Sequence, residues 1–196
     1  MLLVILTLTS CKNILLKIYG IKDPKTENEI SILKYAEEKK LHTDNIVTVT
    51  SKDFLSVIKG KGIPDADIFD ANGEYIEYRK TASDCNAALF QFIPDLNKEK
   101  KYDKTGKTNL STELNRFRDL KGNPLQAIPT ADFYVLIYWN AWTGKLNNDH
   151  VKIWEDYAYA NKNATIKVLK IDLDFQEYWN KAERDSIIKH LDKKIN

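Results

Sequence analysis

The chain has 196 residues, 43% hydrophobic and 11% aromatic, enough core for one domain or two small ones; this excludes a disordered, collagenous or low-complexity polymer. Thirty Lys and Arg against 28 Asp and Glu leave a formal charge of +2, without the basic bias of a nucleic-acid binder. Two cysteines are too few for a disulfide scaffold or a four-thiolate zinc site, and 7 Gly with 5 Pro argue against a turn-rich β-sandwich.

Residues 2–8 (Leu-Leu-Val-Ile-Leu-Thr-Leu) are apolar but far shorter than the ~20 residues that span a bilayer. They suit the core of a secretory signal. The Leu8-Thr9-Ser10-Cys11 tetrapeptide that follows resembles the bacterial lipobox. That resemblance implies cleavage before Cys11 and a lipid on its thiol, so that the membrane is reached through Cys11. Lys12 and Asn13 carry none of the acidic residues that mark inner-membrane retention or surface export. The expected place is therefore the periplasmic face of the outer membrane. No Lys or Arg precedes Cys11, which leaves an upstream start as one account; the alternative is a buried N-terminal strand or helix. The expected organisation is a signal over 1–10, an anchor and linker over 11–26, and one domain over 27–196, with a subdivision near 97–110 as the alternative.

Residues 14–21 form an apolar stretch that periodicity cannot assign, and Asp23-Pro24 breaks it. Ile30, Leu33, Tyr35 and Ala36 at helical spacing predict an amphipathic helix over 27–41. The β-branched run 45–50 predicts a strand, and Ser51 the N-cap of a helix over 52–59. Asn72-Gly73 between two alternating apolar runs predicts a hairpin over 62–78. Ser83-Asp84 predicts the cap of a helix over 85–96. The lysine-rich stretch 97–108 reads as a solvated polar linker. Its Gly106-Lys107-Thr108 is no phosphate loop, since the glycine that motif needs at position 101 is Lys101. A helix over 111–120 and a turn at 122–124 follow.

The last third alternates cleanly. A near-continuous apolar strand over 133–139 implies cover on both faces; then come a helix over 147–160, a strand over 165–173 and a helix over 177–194. Strands alternating with helices imply an α/β fold with a mostly parallel sheet.

Trp139-Asn140-Ala141-Trp142-Thr143-Gly144-Lys145-Leu146-Asn147 resembles the thioredoxin-family segment in which a buried strand ends in tryptophan and Trp-Cys-Gly-Pro-Cys opens a helix. Gly62-Ile63-Pro64 and its hairpin resemble the segment carrying that family's cis-proline. The resemblance implies a thioredoxin-like mixed sheet flanked by helices. Thr143 and Leu146 stand where the redox cysteines would be, so dithiol exchange is chemically excluded there. The proline hairpin also precedes the Trp142 segment instead of following it. Either one sheet is permuted, or the first half is its own unit; a single permuted sheet is favoured because the last third has no hairpin of its own. With the lipobox, the pattern resembles lipoproteins of the Bacteroidetes that carry no assigned activity.

On this reading Trp142, Thr143, Lys145, Asn147, Ile63 and Pro64 form a binding surface for an envelope protein or peptide, at the strand ends where α/β folds place ligands. No cofactor, metal or nucleic acid is expected. Cys85 is the remaining thiol; as a small core residue it would be inert, and at a helix N-terminus it would be the nucleophile of a one-cysteine enzyme. His42, His150 and His190 are scattered. Asp149 and His150 with Asp172 and Asp174 match no ligand spacing, and surface positions are expected for them.

Overall fold

The structure is a computed structural model that describes residues 18–59, 61–81 and 84–195, with side chains through 191. Strand β1 (Thr26–Glu27) leads into helix α1 (Glu29–Glu38). Asn28 caps α1 through a reciprocal pair with Ser31, at 2.9 and 3.0 Å, an arrangement that stabilises a helix start by about 1 kcal/mol. The helix is shorter than 27–41, and its inward face is Ile32 and Ala36; Ile30, expected inside, is 78% exposed. Strand β2 (Ile46–Val49) is followed by α2 (Ser51–Ile58). The cap is Thr50 and not Ser51, because it is the Thr50 hydroxyl that accepts from the Asp53 amide at 3.1 Å.

The predicted hairpin is present as β3 (Asp65–Asp70) and β4 (Glu74–Ile76), with Gly73 at φ +77° in the turn. Residues 85–96 do not make a long helix. A 3₁₀ turn (Asn86–Ala88) runs into the single-turn α3 (Leu89–Phe92). Asp84 instead folds back to accept from the Lys80 and Thr81 amides. The linker expected over 97–108 ends in a strand, β5 (Lys104–Asn109), pairing with β4 at the sheet edge. Its Lys104 amine reaches Asp70 at 2.6 Å and also meets Glu74, a charged edge that resists pairing with other chains. The helix expected over 111–120 stops early, as α4 (Leu110–Asn115), and the chain adds β6 (Phe117–Arg118) to β2.

Strand β7 (Phe133–Trp139) matches the predicted bounds. After it come a 3₁₀ turn (Ala141–Thr143), a wide turn (Asn147–Lys152) and α5 (Ile153–Ala160). Strand β8 (Ile166–Asp172), the short β9 (Phe175–Gln176) and α6 (Lys181–Ile195) complete the described chain. β9 pairs in parallel with β1, an element the sequence did not signal.

One seven-stranded mixed sheet takes the order β5-β4-β3-β7-β8-β2-β6, so both halves of the chain share it. β7, β8 and β2 are parallel; β3 runs antiparallel to β7. Because strand side chains alternate, Val135, Ile137 and Trp139 pack with α1 and α5 on one face. Leu136 and Tyr138 pack with α2 and α6 on the other, which is why β7 is apolar throughout.

Candidate functional site

The carboxyl ends of β7 and β8 open into a cleft of about 670 Å³. It is lined by Ile63, Trp142 and Leu173, by Phe54 and Ile58 of α2 and Ile188 and Leu191 of α6, and by Asp23 and Pro24, which are exposed and are its rim. The β3–β7 register pairs Asp65 with Tyr138. Continued outward, that register carries Ile63 toward Asn140, so the hairpin and the Trp142 turn meet without being neighbours in sequence. The Ile63–Pro64 peptide bond is cis.

Of the six residues expected on this surface, Ile63 and Trp142 line the cleft and both are half-buried. Thr143 and Asn147 correct the expectation: they are 3% and 0% exposed. The Thr143 hydroxyl reaches the Asn140 carbonyl and Asn147 Oδ1, at 3.0 and 3.1 Å. Asn147 Nδ2 donates to the same carbonyl at 2.8 Å and to the Tyr35 hydroxyl at 2.9 Å. Their polarity is spent inside, locking the turn. Pro64 is also buried, with its carbonyl accepting from Asn86. Lys145 is exposed but does not line the cleft.

Gly144 holds the turn against the incoming chain. Its φ is +61°, and a Cβ there would run into the carbonyl oxygens of Tyr19 and Gly20. Gly144→Ala is therefore expected to cost about 1–3 kcal/mol, read as a lowered denaturant midpoint. An unchanged midpoint would mean that residues 19–20 are not seated there.

Polar groups gather behind the apolar wall. Asn140 lines the cleft, is fully buried, accepts from the Thr143 amide at 3.2 Å, and leaves its Nδ2 without a partner. Asp172 and Asp174, two residues apart on β8 and just beyond it, are buried nearby, 0% and 1% exposed. Burial raises both; the neighbouring Asp174 lifts Asp172 well above the carboxylate range, while Asp174 is held up to about 6. At the rim, Lys61 pairs with Asp67 at 2.6 Å and lies 4.0 Å over the Tyr138 ring.

The other sequence candidates lie elsewhere. Cys85 is exposed, which overturns the core reading, and the 3₁₀ turn behind it has only three residues. It borders a separate polar hollow of about 460 Å³ with Asp65, Glu77, Arg79 and Lys107. Asp149 is exposed while Asp172 and Asp174 are buried, and the described residues contain no group of three His, Cys, Asp or Glu able to hold a metal. His150 packs against Phe90 and Trp154. Cys11 and the rest of the lipobox lie outside the described residues. Among the described residues no helix is long and apolar enough to cross a membrane. Sequence reasoning missed Asn140 and the helical walls of the cleft. The signal available for Asn140 was its place immediately after a buried strand.

No family model, curated protein or solved structure matches this chain.

Proposed function

We propose that this chain is a binding protein of the bacterial cell envelope, tethered through a lipid on Cys11. Its thioredoxin-like scaffold lacks dithiol chemistry and takes an apolar peptide segment of a partner in the cleft beside Trp142 and Ile63. The carrying observation is the cleft itself: apolar side walls, with one buried amide donor, Asn140 Nδ2, left free at the wall. Apolar walls supply affinity by burying area, and a lone unpaired donor favours an occupant with a carbonyl, as a peptide backbone has. The strand order β4-β3-β7-β8-β2 and the approach of Ile63 to Trp142 support the thioredoxin-like reading. Thr143 and Leu146 at the cysteine positions leave a binder as the surviving role. Cys85 borders a different hollow whose lining shares no residue with this cleft, so a thiol reaction there would not use the Trp142 surface.

An immobilised peptide array probed with the folded domain tests the reading. Peptides with large apolar side chains are expected to bind, to lose at least tenfold in affinity with Trp142→Ala or Ile188→Asp, and to be indifferent to Cys85→Ser. Binding that ignores both cleft substitutions overturns the cleft. The anchor is tested separately: Cys11→Ala should move the protein from the detergent to the aqueous phase, and unchanged partition overturns the tether.

A further inference from the structure

Among the described residues, Asp172 and Asp174 make no ion pair. The amine on the same face of β8, Lys170, is taken up by Glu155 and by the Asp44 carbonyl. Arg184 of α6 donates to the Gln176 carbonyl, at 3.3 Å. Glu27 of β1, Tyr35 of α1 and Tyr178 also interact with the pair, and the Arg118 guanidinium of β6 acts on Tyr178. Gln176 Nε2 donates to Asp172 Oδ2 at 2.6 Å and to the Asp174 carbonyl at 2.9 Å, yet Oδ1 of each acid is left without a partner. Two neighbouring carboxyl groups in a dry site are not both charged, so the closed site retains a proton.

The pair is also tied to the cleft. Asp174 Oδ2 accepts from the Ala141 amide at 2.6 Å, at the start of the turn that carries Trp142. The Trp142 carbonyl accepts in turn from the Lys22 amide at 2.9 Å, one residue before the rim formed by Asp23 and Pro24. One acid thus holds the turn that carries Trp142 and, through it, the rim.

We propose that the Asp172–Asp174 pair is a pH-sensitive latch that holds the Ala141–Thr143 turn and the 22–24 rim closed when protonated and releases them when ionised. This rests on the cleft reading and adds its regulation. The direction follows from linkage. In an opened state, water reaches the carboxyls and they ionise at ordinary values; in the closed state they hold protons longer, so rising pH favours opening. With Asp174 moved from 3.8 to about 6, the closed-to-open ratio falls by up to about a hundredfold as pH passes through that window.

Backbone hydrogen exchange, corrected for intrinsic rates and followed from pH 4 to pH 8 without any ligand, reads the latch directly. Protection of the Ala141, Trp142 and Thr143 amides is expected to fall at least tenfold over this range, while α2 stays constant. The Asp172→Asn/Asp174→Asn double variant should show no such fall. Flat protection in the unmodified protein, or an equal fall in the double variant, overturns the latch. A pH-dependent turn alongside a peptide array that shows no cleft binding would overturn the binding reading and leave the latch standing.

Discussion

Lys170→Met is expected to cost about 3–5 kcal/mol of folding stability, read as a drop in the urea midpoint at constant slope. Lys170 lies in the middle of β8, and its side chain and that of its partner Glu155 on α5 are both 0% exposed. The second oxygen of Glu155 accepts from the His42 amide at 3.1 Å, so the carboxylate stitches the chain between α1 and β2 to α5. Taking both charges out of water already cost most of what their attraction returns, so removing the cation alone leaves a desolvated carboxylate with one amide donor. The double variant Lys170→Met/Glu155→Leu removes both charges and should recover most of the loss. A single variant within about 1 kcal/mol of the parent would show that water reaches the pair.

The elements legible in the sequence are those whose own residues decide them. β7 is apolar at each of its seven positions and could only be a doubly covered strand. Asn72-Gly73 carries its own turn geometry. β5 was not legible, because the Lys, Gly and Asn of Lys-Thr-Gly-Lys-Thr-Asn outweigh its two Thr; its order comes from pairing with β4, Glu74 opposite Asn109 and Ile76 opposite Lys104. Thr50 and Ser51 are both good caps, and only the reach of a side chain to the Asp53 amide chooses between them. Ile63 and Trp142, expected on one surface, line the cleft together, but polarity misplaced Thr143 and Asn147. Four residues apart, they turn inward together and satisfy each other. Phe54, Ile58, Ile188 and Leu191 reach the cleft from helices more than a hundred residues apart, and no local pattern announces that meeting. Lys170 inside an apolar strand was a readable sign of a buried partner.

Asp174→Asn should make the protein more stable, and only above mildly acidic pH. The group's folded value is raised, from 3.8 to about 6, chiefly by burial. A raised carboxyl contributes stability that is fully present below about pH 4 and is lost as pH rises through 6. The loss is on the order of 3 kcal/mol, from about 1.4 kcal/mol per tenfold change in proton affinity. Asparagine carries no charge at any pH, and its oxygen can still accept from the Ala141 amide. The difference in unfolding free energy, variant minus parent, should therefore rise from near zero at pH 4 to on the order of 3 kcal/mol at pH 7. Taking that difference cancels the surface acids Asp70, Asp119 and Asp132, whose hydrogen bonds lower them and whose contribution runs the opposite way, lost on acidification. Urea unfolding of both proteins at pH 4, 5.5 and 7 decides it. A difference that is constant across the three values would mean that Asp174 is hydrated in the folded state; a variant less stable at pH 7 would mean that its charge, held by the Ala141 amide, is what the fold needs.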